Sequence, residues 1–394
     1  MSGHLRALFV DDDPAVLGGL KRMLRGIRSE IASDFVDNGP DALTRMRSDG
    51  YDVVITDIRM PGMSGIEVLE AVSEEHPDMA RLILSGYSDK ADTLRATGLA
   101  HQYLAKPCDA AGLRSAILRS VRMREELADP ELRRLAGGAR TLPSVPDLYN
   151  RINAELVSDD PSASRIGEII AQDPAMSLKI LQIVNSSFFG LRREVTDIGQ
   201  ATTLLGLDTI SSLVLAAGVF STGPSDPVSA AMVSHVYESS LEIASVAKRI
   251  AQVAGAERNV VEESYLAGLI QDIGILALAS NWPSRWRQVD RSHMELSEQS
   301  IFGTTHAAFG AYIASLWGLP DSLVEAIRYH TALNEAPVHD DFSSLVALLV
   351  ARAIVNNDFD LARITADTRY LEPMGLERSL PDWLDAVEEM RSEQ

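Results

Sequence analysis

The sequence predicts two domains of different class: a doubly wound parallel α/β domain over residues 1–124 and an all-α domain over 141–355. Three observations carry this. Apolar strand-like runs alternate with helical patterns in the first third of the chain, which builds a parallel sheet covered by helices on both faces. Beyond residue 141 that alternation stops, and apolar residues recur only at spacings of three and four, the signature of packed helices. The chain has 394 residues, too many for one ordinary core.

In the first domain the strand-like runs are LRALFV, YDVVIT, ARLILS and HQYLAK, with helical patterns at 15–28, 39–48, 66–75 and 109–124. Working residues in such sheets lie at the carboxyl ends of the strands. There the sequence places Asp11, Asp12 and Asp13, then Asp57 in TDIRMPGMSG, Ser85 in LSGYSD, and Lys106 before Pro107. Carboxylates converging on one edge repel each other and call for a hard divalent cation, of which Mg²⁺ suits oxygen ligands best. A carboxylate beside such a cation and a lysine is a competent nucleophile toward phosphorus. Each residue alone has a plainer reading, DDD as a solvated turn or helix cap and Lys106 as a surface cation. Their joint order along alternating strands is what makes them a site.

This segment resembles the receiver domain of a two-component response regulator, a five-stranded flavodoxin-like fold, over residues 5–120. The resemblance implies that Asp57 is the phosphoacceptor. It implies that Asp11 and Asp12 form the acidic pair, and that Mg²⁺ is held by Asp12, Asp57 and the backbone carbonyl of Arg59. Ser85 and Tyr103 would be the switch pair, Tyr103 rotating inward, and Lys106 would contact the phosphoryl group. It further implies a cis Lys106-Pro107 bond, a sensor histidine kinase or phosphotransfer protein as phosphodonor, and homodimerisation through the receiver face or the connector.

Residues 125–140 read as a helical connector, broken or kinked at Pro130 and ended by the flexible AGGAR; a solvated linker is the expectation, a dimer stalk the alternative. The helical domain follows, with helical patterns at 166–170, 175–184, 208–220, 230–254, 264–277, 304–316, 322–327 and 342–355. Residues 356–394 read as capping helices with an acidic tail. Trp317 and Trp383 read as core or cap residues.

The phrases LPSVPDLYNRI, IIAQDPAMSLKILQIVNSSFFG and EVTDIGQATTLLGLDTISSLVLAAGVF resemble the HDOD family, a divergent relative of the HD and HD-GYP phosphohydrolases. Asp173-Pro174 should open a helix, and Asn185 and Ser186 should serve its far end. In the catalytic relatives, histidines and a His-Asp pair in an apolar helix ligate metals that activate water. The matching residues here are His235, Gln271-Asp272, His306 and His330, and the pattern is broken in three places. Gln271 stands for the paired histidine, and a neutral amide is a poor transition-metal ligand. Thr331 follows His330 where HD-GYP relatives have a second histidine. The late helix LVALLVARAIVNN has no aspartate before Asp358. The expectation is a buried, hydrogen-bonded, non-catalytic cluster with no cofactor in this domain.

The composition is that of a globular protein, 46% hydrophobic and 23% charged, with no apolar run long enough for a transmembrane helix. The one cysteine, Cys108, excludes an intrachain disulfide. A cytoplasmic protein is expected. Residues 1–120 hold 14 Lys+Arg against 18 Asp+Glu, so most of the net charge of −20 falls on the rest. That balance argues against nucleic-acid binding, and no basic helix is found. Arg192 and Arg193 are the only adjacent basic pair near a motif there. The function expected is phosphorylation at Asp57 switching a protein–protein contact with a downstream signalling protein, such as a cyclic-dinucleotide enzyme or a kinase. Hydrolysis of cyclic dinucleotides or nucleotides, and binding of such a ligand, are the alternatives.

Overall fold

The computed structural model describes residues 5–392 except 28, 87–95, 97–98, 122–126, 128, 139–141, 145, 157, 159, 186–193, 208, 211–220, 223–226, 333–334, 338–340, 358–363 and 365–367. Ser186, Arg192, Arg193, Asp358 and most of the helix expected at 208–220 lie outside the described residues.

Five parallel strands form one sheet in the order β2-β1-β3-β4-β5: β1 Leu5–Val10, β2 Ile31–Val36, β3 Val53–Asp57, β4 Ala80–Ser85 and β5 Gln102–Ala105. The central strands β1 and β3 are buried almost throughout, which is why they read as continuous apolar runs. The edge strand β2 is IASDFV, mostly half-buried, and its mixed pattern concealed it from sequence reading. Helices α1 Pro14–Met23, α2 Gly39–Ser48, α3 Gly65–Glu75 and α4 Ala110–Val121 cover the sheet. Asp13 caps α1 by accepting from the Ala15 N–H. Ser64 and Glu67 form a capping box at α3. The chain order reverses between β1 and β3, which sets the ends of these two strands beside each other.

The connector is a packed helix rather than a solvated linker. Helix α5 spans Pro130–Gly138, with Pro130 in its first turn, where a missing N–H costs nothing. Leu132 and Ala136 are buried. Gly137, expected as flexible punctuation, lies so close to the receiver that a Cβ there would sit 1.8 Å from the Pro77 carbonyl oxygen.

The remaining helices are α6 Pro146–Leu156, α7 Ala163–Ile170, α8 Pro174–Val184, α9 Ile198–Leu205, α10 Pro227–Val253, α11 Arg258–Ile270, α12 Ile273–Asn281, α13 Pro283–Trp286, α14 Met294–Phe302, α15 His306–Leu316, α16 Asp321–Tyr329, α17 Ser344–Asn356 and α18 Leu380–Ser392. Asp173 caps α8, accepting from the Met176 N–H. Asn185 closes it through paired bonds with the Val195 backbone (2.7 and 2.6 Å), so both are architectural. Trp317 and Trp383 are buried core residues. No described helix is long and apolar enough to cross a membrane.

Candidate functional site

Two constellations carry chemistry. The first lies at the carboxyl edge of the sheet. Asp11 follows β1 and Asp57 ends β3, both buried. The Lys106 ammonium, just after β5, joins them, bonding Asp11 Oδ2 at 2.6 Å and Asp57 Oδ1. The Arg59 N–H donates to Asp57 Oδ2 (2.9 Å), fixing the carboxylate plane. Burial raises the Asp57 pKa above the usual carboxylate range, against the pull of Lys106. Burial works against the Lys106 charge, but its bonds to Asp11 and Asp57 outweigh it, so its pKa is raised.

Asp12 is exposed and does not join the other two in a close ligand group. It instead lines an open cleft of about 660 Å³ with Arg59, Met60 and Glu67. Asp11 and Asp57 share one ammonium, and with Asp12 nearby in sequence the edge offers hard oxygen donors in excess of its one cation. Both charge and donor type fit a bound Mg²⁺. The Lys106-Pro107 bond is cis, as expected. The Ser85 side chain lies outside the described residues. Tyr103 is buried, its hydroxyl donating to the Ala96 carbonyl (3.0 Å).

Gly65 completes the edge. Its N–H donates to the Ile58 carbonyl, and a Cβ on it would lie 1.8 Å from the Asp57 carbonyl oxygen. Only glycine lets α3 start this close to Asp57.

The second constellation is buried in the helical domain. Gln271-Asp272 does not sit inside a helix as expected. It forms the link between α11 and α12, with Asp272 at φ −97°, ψ 19°. Both flanking helices are buried on nearly every side, so periodicity could not reveal the break. His235 is corrected outright. It is exposed on α10, off the face carrying Met232, Val233, Val236 and Tyr237.

Asp272, His306 and His330 do converge, with ligand atoms all within 4.8 Å of one another. The ring of His330 lies edge-on to that of His306, centroids 5.3 Å apart. His330 Nδ1 donates to the Ile327 carbonyl (2.7 Å), and its Nε2 meets Asp272 Oδ1 at 3.1 Å. His306 Nδ1 is held by Glu298 (2.8 Å), which also accepts the His306 N–H, and its Nε2 lies 3.6 Å from the same Asp272 oxygen. Each Nδ1 is thus anchored, and each Nε2 faces one carboxylate oxygen, a seat for a cation or a proton. Small residues set this spacing. A Cβ on Gly274 of α12 would lie 2.0 Å from the His306 carbonyl, and Gly310 of α15 packs against the Gly274 nitrogen.

Sequence reading missed two members. Glu298 is fully buried on α14, and only its i,i+4 pairing with buried Phe302 hints at this. Arg352 is the lone charge in the apolar helix α17, a readable signal that a search for aspartate passed over. Its guanidinium donates to Gln271 Oε1 (2.7 Å) and stands 3.8 Å from Asp272 Oδ2. Gln271 Nε2 is buried without a partner. Burial works against the Asp272 charge, but His330, Arg352 and His306 hold its pKa below the usual carboxylate range. Burial and Arg352 push His330 down to about 4. Burial also disfavours charge on His306, yet Glu298 and Asp272 prevail and raise its pKa.

Comparison with known proteins identifies both domains. The response regulator receiver domain model matches residues 7–118, and the HDOD domain model matches residues 142–333. The photosynthetic apparatus regulatory protein RegA of Rhodobacter capsulatus is 38% identical over 114 residues, 28% of this chain and 60% of RegA. The DNA-binding transcriptional regulator NtrC of Escherichia coli (strain K12) is 29% identical over 148 residues, 36% of this chain and 31% of NtrC. The chain thus spans less than two thirds of these curated relatives. A crystal structure of a virulence factor from Campylobacter jejuni subsp. jejuni shares the fold at 22% identity and TM-score 0.50, over 67% of this chain and 96% of that one. The acidic sheet edge and the helical domain behind it make this chain a response regulator with an N-terminal receiver domain and a C-terminal HDOD domain.

Proposed function

We propose that the protein is a phosphorylation-controlled switch whose HDOD domain delivers a protein–protein output without catalysis. The bridging of buried Asp57 and Asp11 by Lys106 carries the first half. Asp57 is the phosphoacceptor. Its carboxylate oxygen bonds to phosphorus as the donor's bond to the phosphoryl group breaks, the donor being a sensor histidine kinase or phosphotransfer protein. Asp11, Asp12, Asp57 and the Arg59 carbonyl are the residues that would hold Mg²⁺, which when bound offsets charge on the transferring group. Lys106 leaves Asp11 to meet the phosphoryl oxygens.

Arg352 carries the second half. Its guanidinium sits beside Asp272 and engages the amide oxygen of Gln271, so a fixed internal cation takes up the carboxylate that a metal would need. The cluster is then a structural, proton- and guanidinium-balanced core, with Gln271, Asp272, His306 and His330 as its members.

A second reading, metal-dependent phosphohydrolysis, is favoured by one observation: both Nε2 atoms converge on Asp272 Oδ1. Elemental analysis of protein purified without added metal decides between them, with Gln271→His/Arg352→Ala as the comparison. A metal-free wild type beside a metal-loaded variant supports the scaffold reading. A stoichiometric transition metal in the wild type overturns it.

A further inference from the structure

The receiver and the HDOD domain enclose a small cleft that neither the acidic sheet edge nor the histidine cluster uses. Gln102 of β5 and Arg119 of α4 line it from the receiver, and Gln182 of α8, Glu194 and Trp317 line it from the HDOD domain. Its volume is about 180 Å³, room for about six water molecules. A ligand there must be compact.

Two amides are fixed in the cleft wall by their nitrogens. Gln182 is buried and donates across the domain boundary to the carbonyls of His101 (2.8 Å) and Ala100 (3.4 Å). Gln102 donates the other way, to the Leu316 carbonyl (3.3 Å). A Cβ on Gly318, at φ +74°, would lie 2.9 Å from Gln102 Cδ, so glycine is what leaves this amide its place. With each nitrogen committed, neither amide can turn over, and each oxygen needs a donor from elsewhere. Gln182 Oε1 is buried without one. No described group donates to Gln102 Oε1. A buried carbonyl oxygen left without a donor is costly.

Arg119 is open in the complementary sense. Its hydrogen bonds all leave from Nη1, to the Gly318 carbonyl (3.1 Å), the Leu319 carbonyl (3.4 Å) and Glu194 (3.3 Å). Its Nε and Nη2 meet no acceptor among the described residues, although the side chain is only 22% exposed. Those two nitrogens form the edge that grips a carboxylate through two parallel bonds. Arg119 and Glu194 are the two charged residues lining the cleft, so it is neutral overall.

We infer that this cleft is a binding site for a compact zwitterion, an α-amino acid or close analogue. The ligand's carboxylate lies on the Nε/Nη2 edge of Arg119. Its ammonium, with three N–H donors, meets the oxygens of Gln182, Gln102 and Glu194. A plain anion would leave both amide oxygens without donors, and a plain cation would leave the guanidinium edge empty. A nucleotide carries too much charge and bulk for a neutral space of this size. Both domains contribute groups, so the bound ligand bridges them. The inference does not depend on phosphorylation at Asp57.

Isothermal titration calorimetry of the full chain against the individual proteinogenic L-amino acids tests this. At least one compact member should bind at a single site with Kd below about 1 mM. Its decarboxylated and deaminated analogues should each bind about 10-fold more weakly or worse, having lost one set of charged hydrogen bonds. Arg119→Lys keeps the charge but loses the two-bond edge, and should weaken binding by about 10-fold or more. Ser115 is exposed on α4 and lines the same cleft. Ser115→Phe fills the space while sparing Arg119 and both glutamines, and should abolish binding in a chain that melts like wild type. Absence of binding by every amino acid overturns the inference and makes the cleft a water-filled gap. An analogue lacking one charge that binds as tightly as its parent overturns the zwitterion. Binding that survives Ser115→Phe places the ligand elsewhere and overturns the site.

Discussion

Lys179, buried on α8 with its amine 5.1 Å from the centre of the Trp317 ring, offers the sharpest energetic test of packing in the helical domain. Burial lowers its pKa from the ordinary 10.5 to about 7. At about 1.4 kcal/mol per tenfold, that fall corresponds to about 5 kcal/mol by which the folded state disfavours the charged amine. Lys179→Met keeps the side-chain length and should therefore stabilise the chain by up to about 5 kcal/mol at pH 6.5, less any packing strain and lost contact with the Trp317 ring. The sign with pH follows from proton counting. Below about pH 7 both folded and unfolded chains hold the proton, and the full penalty applies. Between about 7 and 10.5 the unfolded chain holds a proton that the folded chain has lost, so wild-type stability rises with pH. The variant lacks this term, and the two should converge as the solution is made alkaline. Urea titrations followed by tryptophan fluorescence at about pH 6.5 and 9.5 measure both quantities. A variant less stable than wild type at the lower pH, or two parallel pH profiles, would refute the reasoning.

Asp57→Asn should abolish the mass increase that a small-molecule phosphodonor gives the wild type, while leaving the folded circular dichroism intact. Gly65→Ala drives a Cβ into the Asp57 carbonyl. It should cost about 1–3 kcal/mol in thermal or urea unfolding and slow phosphoryl acceptance; an unaltered acceptance rate would show that this close approach does not seat the acceptor. Glu298→Gln removes the charge that anchors His306, and should cost about 1–3 kcal/mol. The raised His306 pKa contributes stability that is present below its unfolded value of about 6.5 and lost as pH rises through the folded one. The variant's deficit should therefore be largest on the acid side, and NMR titration should find the His306 pKa lowered.

The receiver site was legible because its chemistry sits where strands end, and strands β1, β3, β4 and β5 announce themselves as apolar runs. The edge strand β2 did not, since half-exposed IASDFV shows neither a continuous run nor clean alternation. In the helical domain, helices α11 and α12 are buried on nearly all faces. Neither the break at Gln271-Asp272 nor the direction of each side chain was therefore encoded in periodicity. His235 looked like a ligand by chemical type and lies on the wrong face of α10. Arg352 was readable as a lone charge in an apolar helix, but its partner Gln271 is 81 residues away and only the fold joins them. The connector was misjudged for a related reason. Its glycines and charges suggest solvation, whereas Gly137 serves close packing and Arg81, far upstream, supplies the contact.

Gly274 and Gly310 bring the backbones of α12 and α15 together without side chains between them. The separation of Asp272 from His306 is thereby a property of two backbone segments in contact. It does not depend on whatever charge lies among the three groups. A proton, a guanidinium or a metal ion would meet the same rigid frame, and exchanging one for another would require no repacking of the helices. The domain can therefore be silent in chemistry and unchanged in shape, so its outward surface can be read by a partner whether or not its interior reacts.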